Sequence, residues 1–540
     1  MNKYKYKIFL TLIAIGFLSC EVDRIPETSI SDPSFWNTES DLKAAANYMY
    51  TFLPGLPVTS DVWSDDATGR GTNGISDGSR LVPGSDGFYS SSYRLIRAAN
   101  NIIEKSGLVV EKGISQEVVN IYVAEAKFFR AWAYFGLMQR YGGVPLILKT
   151  LNENAEELQA PQASREEVLD AIYEDLDFSG VNLQLPSQMN GSDFGRITKT
   201  TAWALKSRVA LFEGTRSKFH GYGNPNQHLS LAKEAALKVI NSNEHELLDS
   251  YYDLFQYEGD GPDNKENILV RIYGQSMDNI IVSHNSQRNL EQGAANPTKA
   301  LADAYLMVDG LPIDVSPMYN TPQSIIEVFE NRDPRMDYTF LKEGNEYIGT
   351  QPEFTIPALQ FQVTGFANRR YISTEDWTNQ RSFIDYAIIR YAEVLLNYAE
   401  ASFELDDQIS EADLNISINQ LRKRPSVNMP DLTNTFVSSN GLNMREEIRR
   451  ERRVELALEG FRYWDLIRWK TAEIELPKPI LGNYYFAEFG SEVVPPTDEN
   501  NYILFQSADT RSFDPNKDYL WPFATEEIAL NPNLEQNPNW

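Results

Sequence analysis

Three glutamates spaced four apart, Glu451, Glu455 and Glu459, are the residues of this chain most suggestive of acid–base chemistry. Carboxylates at that spacing share one stripe of a helix, where two of them could divide the roles of general acid and general base. Their neighbours argue for another use. Arg449, Arg450, Arg452, Arg453 and Arg462 crowd the same stretch. Glutamates and arginines together on a half-buried helix form an ion lattice far more often than an active site. Arginines on the flanking stripes, joined by Arg390 from another helix, are the expected bidentate partners.

Other catalytic signatures are missing from the sequence. His220, His228, His245 and His284 show no metal-ligand spacing, and there is no H-E-x-x-H, P-loop or G-x-S-x-G. Gly69 to Gly74 spells G-x-G-x-x-G, but it follows no apolar strand and opens no helix, so a dinucleotide site fails on context. Nothing points to a pair of glycosidase carboxylates, whose spacing the fold would set. The expectation is a protein with no catalytic residue, no metal and no cofactor.

Binding chemistry is better represented. The chain has nine Trp, 28 Tyr and 27 Phe, and a formal net charge of −27. That sign excludes a nucleic-acid partner, which needs a positive footprint to displace counterions. Flat aromatics suit the apolar C–H faces of sugar rings, and adjacent polar groups suit the hydroxyl rim. Two regions can supply both. One is the long Gly-, Asp- and Ser-rich loop 54–87, with Trp63, Asp65, Asp66 and Arg70. Trp63 reads equally well as a sugar platform or as an anchor for its loop. The other is the insert 260–380, where short β-branched or aromatic runs (Ile268–Tyr273, Phe354–Ile356, Leu359–Val363) lie between Gly, Pro and Asn clusters. Tyr273, Tyr319, Trp377 and the Arg369–Arg370 pair are its ligand candidates, and the two regions are expected to meet on one face.

The amino terminus predicts an address. Lys3, Lys5 and Lys7 precede an uncharged run from Ile8 to Ser19, of signal-peptide length and too short to span a bilayer as a helix. Cys20 follows and is the chain's one cysteine, so it reads as a lipid acceptor, with residues 20–40 as tether and 41–540 as a single domain. Removing residues 1–19 takes away three lysines and no acid, moving the charge from −27 to −30. An acylated Cys20 leaves no thiol for a disulfide, a zinc site or a nucleophile.

The elements that must position these residues are helical. Periodicity and caps predict helices over Asp41–Phe52 (capped by Ser40 or Thr38), Tyr93–Lys105, Gln116–Tyr141, a segment capped by Ser164 and Glu167, Arg196–Glu213 and Leu229–Asn241. Later ones are predicted over Tyr386–Leu405, Asp413–Arg424 and Met444–Lys470. Small residues at crossing points and aromatics at helix ends suggest degenerate tetratricopeptide-like hairpins without a strict repeat.

Several of these stretches carry a family likeness. RRERRVELALEGFRYWDLIRW, the run from Tyr122 that ends RYGGVPL, RITKTTAWALKSRVALFEG, IIRYAEVLLNYAEA and the tail YLWPFATEEIALNPNLEQNPNW resemble, in order, the motifs of the SusD/RagB family. Those are surface glycan-binding lipoproteins of Bacteroidetes, and Glu21 and Asp23 resemble their export signal. The resemblance implies an all-α fold of about four tetratricopeptide-like units with an embedded irregular, partly β, loop-rich region. It also implies an outer-membrane lipoprotein, held by its lipid alone, that captures oligosaccharides as the lid of a SusC-like TonB-dependent transporter. Two alternatives stand beside it: a surface glycoside hydrolase, and a lid for a non-sugar nutrient such as peptide.

Overall fold

The computed structural model describes residues 35–57, 59–274, 283–348, 353–490 and 492–540. The leader, Cys20 and the first part of the tether lie outside them.

Helices dominate, and most begin where a side chain can cap them. Thr38 accepts from the Asp41 amide to start α1 (Glu39–Tyr50), and Asp86 caps α2 (Gly87–Glu111). Ser115 caps α3 (Gln116–Tyr141), and the Ser164–Glu167 capping box opens α4 (Arg165–Asn182). Thr198 caps α5 (Lys199–His220), which turns into α6 (Pro225–Ser242). These helices stack pairwise as tetratricopeptide-like hairpins around a core that includes Phe128, Phe129, Leu205, Val209 and Leu229. At the α5–α6 crossing, Gly214 lets the backbones approach: a Cβ there would sit 2.8 Å from Leu229 Cγ and 2.9 Å from its amide nitrogen.

The irregular region is built on three two-stranded antiparallel sheets. β1 (Ala67–Thr68) pairs with β3 (Asn296–Pro297), and β2 (Asn267–Arg271) with β4 (Tyr386–Arg390). Between β3 and β4 lies the short helix α7 (Lys299–Ala304), and after β4 come α8 (Tyr391–Asp406), α9 (Met444–Glu455) and α10 (Arg462–Arg468). The third sheet pairs β5 (Ile480–Tyr484) with β6 (Tyr502–Gln506).

Several expected elements are altered. Met444–Lys470 is not one helix, because Leu458 (φ 60°) and Gly460 (φ 83°) are left-handed and break it into α9 and α10. Tyr386–Leu405 begins as strand β4, and Asp413–Arg424 divides into Glu411–Asn415 and Ile418–Arg422. Phe354–Ile356 and Leu359–Val363 are not strands. The latter folds into turns, with the Phe361 and Gln362 amides both donating to the Ala358 carbonyl at 2.8 Å.

Candidate functional site

The glutamate stripe of α9 and its sequel is the anchor of the irregular region. Glu455, fully buried, accepts from Arg390 (2.8 Å), Arg424 (3.0 Å) and Arg335 (2.9 Å). Glu451 accepts from Arg335 and Arg422, and Glu459 from Arg370 and Arg390. Glu266 and Asp333 complete a lattice of five carboxylates and five guanidiniums. Burial raises the Glu455 pKa, but Arg424, Arg390 and Arg335 outweigh it and hold the group at about 2. Arg390 is a partner as the sequence suggested, but from the end of strand β4 rather than from a helix. The flanking arginines are not: Arg452 pairs with Asp465, while Arg453 and Arg462 reach into the 54–87 loop.

That reach decides the fate of several candidate residues. Arg462 clamps Asp65 through two bonds (2.8 and 2.9 Å), and Arg453 bonds both Asp66 and Asp65. Asp65 and Asp66 are therefore buried ion-pair partners and are withdrawn from a ligand-facing surface. Asp61 accepts from the Gly460 amide at 2.7 Å. Trp63 packs edge-on against Trp521 (5.4 Å) and Tyr463 (6.0 Å), half-buried, as an anchor of its loop. Arg370 belongs to the lattice and Tyr273 is 6% exposed, so neither faces solvent. Arg369 lies over the Tyr252 ring at 4.4 Å and donates to the Asp337 carbonyl.

The two regions do meet. The β1–β3 ladder joins them, the Thr298 hydroxyl donates to the Asp65 carbonyl at 2.5 Å, and exposed Arg70 lies over Phe361 at 5.2 Å. Trp377 is half-buried on a cluster with Leu290, Leu341 and Ile372.

Tyr319 is the candidate that the fold places in a concave setting. It lines a small recess of about 30 Å³, hereafter the tyrosine groove, with Tyr484, Tyr502, Lys299, Asp303, Thr321 and Asn483. The β5–β6 register puts Tyr484 opposite Tyr502, their rings 5.8 Å apart and perpendicular. Lys299 reaches over the Tyr502 ring at 4.6 Å and pairs with Asp303 one turn along α7. All three tyrosines are half-buried, and Tyr484 also packs against the core cluster that includes Leu301, Tyr305 and Phe366. Their rings offer flat apolar area, and the Lys299 ammonium and Asp303 carboxylate stand beside them, a combination that suits sugar rings and their hydroxyls. The sequence reading missed Tyr484 and Tyr502; the short apolar run YILF, residues 502–505, was the available signal of a strand.

A larger cavity, of about 390 Å³, lies among α2, α3, α5 and α10, walled by Phe88, Trp132, Phe212 and Trp464. Its Arg208, Arg452 and Arg468 are bonded to Glu393, Asp465 and Glu400, as Lys299 of the tyrosine groove is to Asp303.

Comparison with known proteins agrees with this architecture. Residues 263–540, just over half of the chain and including the lattice and the groove, match the model of the SusD family. The chain belongs to the SusD family. Residues 84–211, helices α2 to α5, match a second model described as starch-binding and associating with the outer membrane. A SusD-like protein, P38, of Formosa agariphila is 27% identical over 98% of this chain and 97% of its own length. A SusD-like carbohydrate-binding protein of Bacteroides fragilis superposes with a TM-score of 0.76 at 26% identity, covering 93% of this chain and all of its own. Another SusD-like protein of that organism gives 0.74 at 24% identity, over 96% of this chain and all of its own.

Within this SusD-family chain, the described residues include no group of three or more His, Cys, Asp or Glu placed to hold a metal, and no helix long and apolar enough to cross a membrane. The four histidines are each bonded within the scaffold: His228 to Tyr173, His220 to the Ile467 carbonyl, His284 to the Ile384 carbonyl and His245 to Thr200.

Proposed function

We propose that the protein captures oligosaccharides at the cell surface without cleaving them. It passes them to a SusC-like TonB-dependent transporter, over which it acts as a lid, tethered through lipid on Cys20. The observation that carries this reading is the convergence of Tyr319, Tyr484 and Tyr502 with Lys299 and Asp303 at one small recess. Membership of the SusD family supports it, as do the carbohydrate-binding description of the Bacteroides fragilis neighbour and the outer-membrane description of the second family model. The three glutamates that most resembled acid–base groups are buried and bonded to arginines, which favours capture over hydrolysis.

The test is a binding screen against glycans and peptides, with reducing ends assayed in parallel. Retention of an oligosaccharide with no release of reducing ends is expected. Binding of peptides alone, or release of reducing ends, would overturn the proposal.

A further inference from the structure

Next to the tyrosine groove along α7 lies a pocket of about 260 Å³, walled also by α9, α10 and the short helix Ala472–Glu475. Four guanidiniums line it: Arg449, Arg450, Arg453 and Arg462. In a chain with a net charge of −27, four cations around one small space need an explanation. Two have one, since Arg453 and Arg462 hold Asp65 and Asp66. The other two are weakly matched. Arg450 contacts Glu447 at 3.3 Å. Arg449 contacts Glu446 at 3.6 Å, and that glutamate is largely exposed.

Arg449 is also held in place. Its guanidinium lies over Trp469 at 4.6 Å and over Phe219 at 4.8 Å. Its Nε and Nη2 are buried without a hydrogen-bond partner among the described residues, and so is the Thr471 hydroxyl in the same wall. Nε and Nη2 together form the edge of arginine that binds a carboxylate or sulfate through two parallel bonds. Buried donors are normally satisfied, so this edge is notable. Of the acids on the lining, Asp303 is paired with Lys299 and Glu475 with Lys478, while Glu446, largely exposed, reaches only to 3.6 Å from Arg449.

We propose that this pocket receives one anionic group, a carboxylate or a sulfate ester, carried by a sugar whose neighbour sits in the tyrosine groove. The inference rests on the glycan reading and deepens it: the ligand is an acidic oligosaccharide. Asp303 lines both spaces, so one side chain of α7 separates the stacking platform from the guanidinium pocket. A ligand spanning them would stack on tyrosine and place its charge against an arginine already fixed between two rings, which limits the ordering required on binding.

Titration calorimetry on the full chain with matched probes tests this. A uronic-acid oligosaccharide is compared with its carboxyl-reduced counterpart, and a sulfated oligosaccharide with its desulfated one. At least one charged probe is expected to bind tenfold or more tighter than its neutral partner, with a preference that weakens as salt is raised. The pair that shows it identifies the anion. Arg449→Gln should erase the preference and leave neutral binding in place. Arg450→Gln, at a less buried position, should reduce it with an unchanged thermal melt.

Equal binding within both pairs would overturn the anion pocket. A preference that survives both substitutions would overturn it too. Neutral probes that bind and depend on Tyr502, with no gain from charge, would sink the pocket and leave the glycan reading standing. Failure of all four probes to bind would overturn both.

Discussion

Glu455 accepts hydrogen bonds from three arginines at zero exposure, so its removal strands charge that burial has already stripped of water. Glu455→Ala is expected to destabilise the fold by roughly 3–5 kcal/mol, the range for breaking a buried ion pair from one side. Urea unfolding measures it, and an unchanged midpoint would mean that the lattice is solvated. Asp61 behaves in the opposite sense. Burial and the neighbouring Asp66 push its pKa up to about 8, against the pull of the Gly460 amide. Between its unfolded value near 4 and about 8 the native state holds a proton that the unfolded chain has released. Stability from this group therefore falls as pH rises through that window and is flat outside it. Asp61→Asn keeps a neutral acceptor for the Gly460 amide, so it should flatten that part of the stability–pH curve. A curve that falls as steeply in the variant as in the parent would contradict the assignment.

Among the elements, the helical hairpins depend on close crossings. Gly214→Ala would drive a Cβ to 2.9 Å from the backbone nitrogen of Leu229, and the helices cannot separate without losing the packing around them. A loss of about 1–3 kcal/mol is expected, as for other overpacked sites. A melting temperature at or above the parent value would show that the α5–α6 crossing is looser than described. The caps of these helices were readable in advance because they are local: Ser164 with Glu167 is a capping box within four residues. What local reading missed was set at a distance or by backbone sign. Gly460 sits in the left-handed region beneath Asp61, so the long signature segment is two helices although its composition suits one. The strand Tyr386–Arg390 exists because Asn267–Arg271 pairs with it, from more than a hundred residues away. Tyr484 and Tyr502 become a platform only through the β5–β6 register, and Asp65 and Asp66 lost their candidacy to Arg453 and Arg462, nearly four hundred positions later.

At the scale of the whole molecule, the ion lattice fixes helix α9 to the irregular region, and that region presents the groove. The family of the chain and the outer-membrane description of the second family model agree on a glycan-binding role associated with the outer membrane. Anchoring is tested apart from binding. Cys20→Ala should leave a folded protein that no longer fractionates with membranes, because each buried acyl CH₂ contributes about 0.8 kcal/mol. Membrane association that persists in the variant, in cells lacking the transporter, would remove the lipid tether from the account.

The central claim is that the tyrosine groove holds the captured sugar. It is tested most directly by titrating a screened oligosaccharide into the parent and into Tyr319→Ala, Tyr484→Ala and Tyr502→Ala. Truncating a stacking platform typically costs about 2 kcal/mol, roughly a thirtyfold loss of affinity. At least two of the three variants should show a loss of that order with an unaltered melt; variants that all bind like the parent would place the sugar elsewhere on the molecule.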